Sequence, residues 1–274
     1  MKQFLDDAYG NLTGFIDAFA NSTSGVAERK EVEPASVSSK PYYVCQTDNY
    51  IEDILDNFVT KKILKNIVTK YYGQQLEEII GSGNKLSAKS FPRLWNNFEH
   101  CCKTLNIDVY PDAYITHKLT GINGLSIEID GCPLVLFSFR TAISLNDAEQ
   151  RFLIGHELGH IQQGNLVCHT ANGLLDTLNR SSEILGPMIS DAIEVPLKRW
   201  CRQSEFNADR AGLICCEDME VVESLLAKVN EKKSLSPYRI ISELLDDHPS
   251  NKTRIERLKE YKKQLCLRDF AKMA

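Results

Sequence analysis

Within RFLIGHELGHIQQGN, Arg151 to Asn165, two histidines and a glutamate occur in the order H-E-x-x-H. On an α-helix, His156 and His160 lie four residues apart on one face. Two imidazole nitrogens can then meet one Zn²⁺ at about 2.1 Å each. Glu157 sits slightly around the helix from that pair. It is badly placed to join the same ion but able to reach a water there, so one helical turn supplies two metal ligands and a general base. The bland alternative is two surface histidines on an amphipathic helix. Phe152, Leu153, Ile154, Leu158 and Ile161 argue against it, because they make a largely buried helix and buried histidines need partners. Gly155 and Gly159 cost about 1 kcal/mol each against Ala in a helix interior. Their small size lets another element approach closely.

A third ligand has to come from elsewhere. The longer pattern H-E-x-x-H-x-x-G-x-x-H fails, since Gln163 and Leu166 occupy the positions it requires. Cys168 and His169 lie beyond Gly164 and reach back only through a turn. RQSEFNADRAGL is the better source. Glu205 and Asp209 are four apart on a helix, and Ala208, Ala211 and Gly212 keep that side small. Glu205 would complete a His₂Glu site, and Asp209 would accept the outer N–H of a ligand histidine. Otherwise this is a solvated face, with Glu205 paired to Arg202 and Asp209 to Arg210. Beside an H-E-x-x-H helix the metal reading is preferred. In DDHPSNKTRIERL, His248 precedes Pro249 at a helix start, where Asp247 or Ser250 could cap. His248 could donate to an oxyanion, and Arg254 could hold His248 or Asp209. The alternative there is an ordinary turn.

These side chains need a scaffold. Asn146 is a plausible N-cap with Glu149 completing a capping box, and Gly164 is a natural stop, so the H-E-x-x-H stretch sits in one helix of about 17 residues. Before it, LSIEI (125–129) alternates, Asp130-Gly131 makes a tight turn, and PLVLFSF (133–139) is a second, more buried strand. Asp108-Val109-Tyr110 is a further short strand candidate. Apolar spacing predicts helices near 50–72, 74–81, 91–105, 173–186, 188–216, 218–230, 237–246 and 251–270. The predicted organisation is an amphipathic N-terminal helix (1–20), a Ser-, Glu- and Pro-rich linker (21–44), a helical region (45–104) and a metal-site domain (105–274). The fold class is α+β, mostly helical, with a small antiparallel or mixed sheet.

Bulk properties exclude several functions. The 274 residues carry a formal net charge of -5, which leaves no basic footprint for nucleic acid. No run reaches the roughly 18 apolar residues of a transmembrane helix. In the 1–20 segment Asp6, Asp7 and Asp17 outnumber Lys2, which favours packing on protein over docking on lipid. Asp6 and Asp7 also interrupt any signal region, and nine cysteines without a C-x-x-C suit a reducing compartment. The expectation is a cytoplasmic protein. Cys45, after the linker, is an ordinary cysteine or a thiolate that reaches the metal and makes the site latent.

HELGH (156–160), EFNAD (205–209) and HPSNKTRI (248–255), in that order, resemble the gluzincin peptidases of the family that includes HtpX and the CAAX prenyl endopeptidase. The resemblance covers roughly 105–260. It implies a zincin-like core and a zinc endopeptidase, with His156, His160 and Glu205 as ligands and Glu157 as base. It further implies support from Asp209, and His248 with Arg254 near the transition state. The substrate would be a protein or peptide lying antiparallel to an edge strand. Membrane relatives carry spanning helices. Here the segment between the motifs is broken by Asp176, Arg180, Glu183, Asp191 and Glu194 and should be an amphipathic cover. Residues 1–100 match nothing in the family and could serve a regulatory partner. Two rival readings are a latent protease, released by a partner or by N-terminal processing, and a non-catalytic zinc fold used as a binding module.

Overall fold

The computed structural model describes residues 41–45, 74–129, 132–164, 166, 195–229 and 249–273. The expected 1–20 helix, most of the linker, the helices near 50–72, 173–186 and 237–246, the Asp130-Gly131 turn, Cys168, His169 and His248 lie outside the described residues. In chain order the elements are β1 (Asn84–Lys85), α1 (Pro92–Thr104), β2 (Asp112–Thr116), β3 (Gly124–Ile129), β4 (Cys132–Ser138), α2 (Phe139–Ser144), α3 (Asp147–Gln162), α4 (Val195–Cys216), α5 (Met219–Lys228) and α6 (Asn251–Met273). Residues 74–81 are also helical. The described chain is therefore mostly helical, with one small sheet, as the sequence predicts.

The sheet is mixed, in the order β1-β2-β4-β3. The predicted hairpin forms, with β3 antiparallel to β4 and Leu125 opposite Leu136. β2 runs parallel to β4 on its other side, and β1 closes the far edge antiparallel to β2. Alternation gives the sheet two apolar faces. Leu125, Ile127, Leu134 and Leu136 pack with Leu76 and Ile79 of the 74–81 helix. Ala113, Ile115, Val135 and Phe137 face the main core, with Phe98 of α1, Phe152 and Leu158 of α3, and Ala211 and Cys215 of α4.

Two expectations are corrected. Asp108 to Tyr110 is irregular, and the strand forms at Asp112–Thr116. Pro111 has no N–H to give a ladder, so pairing begins after it. Tyr110 instead turns its ring to Trp95 and Phe98, with centroids 6.5 and 6.3 Å away, and Val109 is exposed. Phe139 opens α2 rather than ending β4, because the Ser138 hydroxyl accepts from Thr141 N at 3.0 Å and caps a short helix.

α3 is built as its sequence suggests. Asn146 Oδ1 accepts from Glu149 N at 2.9 Å, and Glu149 Oε2 accepts from Asn146 N at 3.1 Å, completing the capping box. Gly164, at φ +66°, takes the left-handed turn just past the helix end. α3 packs along α4 with almost no gap. A Cβ on Gly159 would lie 2.8 Å from Ala211 Cβ and 3.0 Å from Ala208 Cα, and one on Gly155 would lie 2.8 Å from Cys215 Sγ. The small residues singled out on both helices thus meet one another and bring two chemistry-bearing faces together. Residues 41–45, at the end of the expected linker, dock on the far end of this pair. Tyr43 is buried and donates to Gln162 Oε1 at 2.8 Å, and Asn207 Oδ1 accepts from Cys45 N at 3.1 Å.

Candidate metal centre

His156 and His160 project from one face of α3 toward Glu205 on α4. His156 Nε2 and His160 Nε2 are 3.2 Å apart. Glu205 Oε2 lies 3.5 Å from the first, and Glu205 Oε1 3.3 Å from the second. One ligand atom from each residue falls within 4.8 Å of the others. Tetrahedral bonds of about 2.0–2.1 Å place ligand atoms roughly 3.3 Å from one another. The observed separations are close to that spacing, with one Glu205 oxygen facing each histidine.

Tautomer and charge agree with that spacing. His156 Nδ1 is 3.0 Å from Asp209 Oδ1. An ionised carboxylate only accepts, so the proton sits on Nδ1 and Nε2 keeps its lone pair. Burial disfavours the Asp209 anion, but the Arg254 guanidinium outweighs it and, with His156, holds the carboxyl down at about 2. Arg254 donates from Nε to Oδ2 at 2.9 Å and from Nη2 to Oδ1 at 2.6 Å. For His160, burial opposes protonation, yet the charge of Glu205 raises its pKa on balance, so this corner attracts positive charge. Ser204 Oγ lies 3.4 Å from His160 Nδ1. His156, Glu157, His160, Glu205, Asp209 and Arg254 are all at most 7% exposed. Three buried carboxyl groups, of Glu157, Glu205 and Asp209, stand around one guanidinium, so the site favours a cation. The donor set fits zinc in atom type, spacing and charge.

Glu157 emerges on the neighbouring side of α3, against the sheet. Ser126 Oγ, on β3, donates to Glu157 Oε2 at 2.5 Å. Residue by residue, His156, His160, Glu205, Asp209 and Arg254 lie together, and Glu157 stands beside them. Asp209 pairs with Arg254, not with Arg210. Of the two roles expected for Arg254, holding Asp209 is observed, and the other rests on His248, which lies outside the described residues. Arg210 turns away, donating to Tyr43 O at 3.1 Å and to Cys45 Sγ at 2.8 Å. Cys45 is not among the side chains that converge on the site. Sequence reasoning passed over Ser126 and Ser204. The available signal for Ser126 was the alternation of LSIEI, which puts Leu125 and Ile127 on one face and Ser126 on the other.

Comparison with known proteins points the same way. Residues 133–262 match peptidase family M48. A relative from Arabidopsis thaliana, the plastoglobule-localized metallopeptidase 48, chloroplastic, is 30% identical over 155 residues, 56% of this chain and 44% of that protein. This chain thus spans less than half the length of that relative. No solved structure matches the chain. Residues 133–262 therefore resemble peptidase family M48, and the expected resemblance to a metallopeptidase family is borne out over that region. Among the described residues no helix is long and apolar enough to cross a membrane.

Proposed function

We propose that this chain is a zinc-dependent endopeptidase that hydrolyses peptide bonds of protein substrates, with His156, His160 and Glu205 holding the metal and Glu157 as general base. The observation that carries the reading is the buried cluster of two Nε2 atoms and a carboxylate close enough to share one ion, with Glu157 next to His156 on the same turn. Zinc, when bound, supplies a Lewis-acid charge that polarises a scissile carbonyl and acidifies water. The chain does the rest. Asp209, itself clamped by Arg254, keeps His156 in the tautomer whose Nε2 faces Glu205 and His160. Glu157 takes the proton of the attacking water and hands it to the leaving amine. His248 is proposed to donate to the oxyanion.

β3 forms an edge of the sheet and runs beside α3. An extended substrate adding antiparallel to β3 would lie alongside Glu157, with main-chain hydrogen bonds giving register. Every described cysteine is a free thiol, which supports a reducing compartment such as the cytosol. The localisation in the relative's name belongs to that protein. The test is hydrolysis of unfolded casein by zinc-loaded protein, with and without a chelator. Turnover that chelation abolishes and zinc restores is expected. Turnover indifferent to the chelator would contradict the metal mechanism, and no turnover by stoichiometrically loaded protein would favour a binding module.

A further inference from the structure

We propose that β3 forms a slot that aims the Glu157 carboxylate, with Ser126 as its positioning residue and Gly124 as its open wall. The inference rests on the hydrolase reading of Glu157 and assigns a role to two residues outside the metal set.

The slot has two sides. Ser126 pairs with Val135 in the hairpin, on the sheet face turned toward α3. Its Oγ lies 2.5 Å from Glu157 Oε2 and 2.9 Å from the main-chain oxygen of the same residue. Its one proton goes to Oε2 with the main-chain oxygen near enough to share it, so Oγ sits against both ends of Glu157 and restricts the torsions between them. A glutamate left to itself loses rotamer freedom whenever it must act from one geometry. Here a neighbouring strand has already fixed it. Gly124 closes the other side. A Cβ there would fall 2.9 Å from Glu157 Cγ and 2.9 Å from Oε1. Any side chain at 124 would push the carboxylate out of place, and a flexible side chain gives way more readily than backbone does. Oε1 takes no hydrogen bond from the described residues, so with Oε2 tied to Ser126 it is the oxygen left to handle the proton. Because β3 is also the strand proposed to pair with substrate, the base and the peptide are registered by one element.

The test uses the full chain in four forms: wild type, Ser126→Ala, Ser126→Thr and Gly124→Ala. Zinc content, casein-peptide kcat and KM, and melting of the metal-free protein are measured on each. Zinc content is expected to stay at the wild-type level throughout. Ser126→Ala should lower kcat by about 10- to 100-fold with KM changed less than about twofold. Ser126→Thr, which restores a hydroxyl, should recover kcat to within about fivefold of wild type. Gly124→Ala should lose kcat at least as strongly while still folding. In metal-free protein, Ser126→Ala should lower Tm by about 3 °C, and the loss should shrink when Glu157 is already Ala, which leaves only the main-chain contact. Wild-type kcat in Ser126→Ala overturns the proposal, as does a kcat loss that tracks lost zinc. Additive melting shifts in the Ser126→Ala, Glu157→Ala pair overturn the tie itself. A wild-type chain without turnover overturns the hydrolase reading and the catalytic role together. The metal-free melting cycle distinguishes that failure from a missing Ser126–Glu157 contact.

Discussion

Glu157 is one bond away from His156 in the chain, yet the two side chains have separate surroundings. The histidine faces α4, and the glutamate faces β3. That separation yields a prediction of opposite outcomes. Glu157→Gln should keep a full equivalent of zinc, measured by atomic absorption, while casein turnover falls by about 10²- to 10⁴-fold. Asp209→Asn should do something different. It withdraws the charge that holds His156 and leaves the buried Arg254 guanidinium without the carboxylate it is hydrogen-bonded to. Zinc affinity should fall by about 10- to 100-fold in a competition titration. Stability should fall by about 3–5 kcal/mol in urea unfolding.

The same pair sets an acid limit. The folded Asp209 carboxyl is held at about 2, below its ordinary value of 3.8. The unfolded chain therefore binds that proton first. The contribution is complete above the unfolded pKa and is lost as pH falls from about 4 toward 2. Unfolding of metal-free protein followed through that window should show a shallower loss in Asp209→Asn than in wild type.

At this scale the convergence of His156, His160 and Glu205 was legible because polar residues four apart on a helix leave a periodic trace. The partner of Asp209 was not. Arg210 and Arg254 were both open as its partner, and only the docking of α6 beside α4 selects the latter. Ser126 was invisible for a related reason: nothing in LSIEI says which element its polar face will meet.

At the scale of elements, the close contact of α3 with α4 carries the site. Gly159→Ala adds a Cβ only 3.0 Å from the Ala208 backbone, which cannot swing aside. The helices must separate, at a cost of about 1–3 kcal/mol. Because His160 follows Gly159 and Glu205 lies one turn before Ala208, zinc affinity should drop along with Tm. Unchanged affinity beside a lowered Tm would show that the helix spacing and the site are independent. Asn146→Ala removes one half of the capping box and should cost about 1 kcal/mol of stability without touching zinc content. The hairpin and this cap could be read in advance because each is a local code of turn and cap residues. β2 was misplaced by four residues. Its signal is short, and pairing with β4, across an intervening hairpin strand, decides where it begins.

On the scale of the whole molecule, one core runs through the described chain. Tyr43, Phe98 of α1, Phe137 of β4, Phe152 of α3 and Tyr261 of α6 belong to a single cluster. Tyr43 and α1 thus share their packing with α3 and α4, while the 74–81 helix packs on the other sheet face. The buried site is rich in carboxyl groups, so an ion bound there would be coupled to the fold. Ion binding at a hundredfold excess over Kd should stabilise the chain by about 2.7 kcal/mol, seen as a Tm that rises with zinc and falls with chelator. The sequence indicated the class of fold from its alternating periods. It could not indicate that segments so far apart share one core, because burial of Tyr43 depends on surfaces contributed by Gln162, Arg210 and Tyr261.

X-ray absorption at the zinc edge of protein loaded with one equivalent of zinc examines the centre itself. Two imidazole nitrogens and oxygen donors at about 2.0–2.1 Å are expected, with no sulfur, and one imidazole signature should be lost in His160→Ala. Sulfur scattering at about 2.3 Å, an unaltered spectrum in His160→Ala, or failure to retain an equivalent of zinc would contradict a centre built by His156, His160 and Glu205.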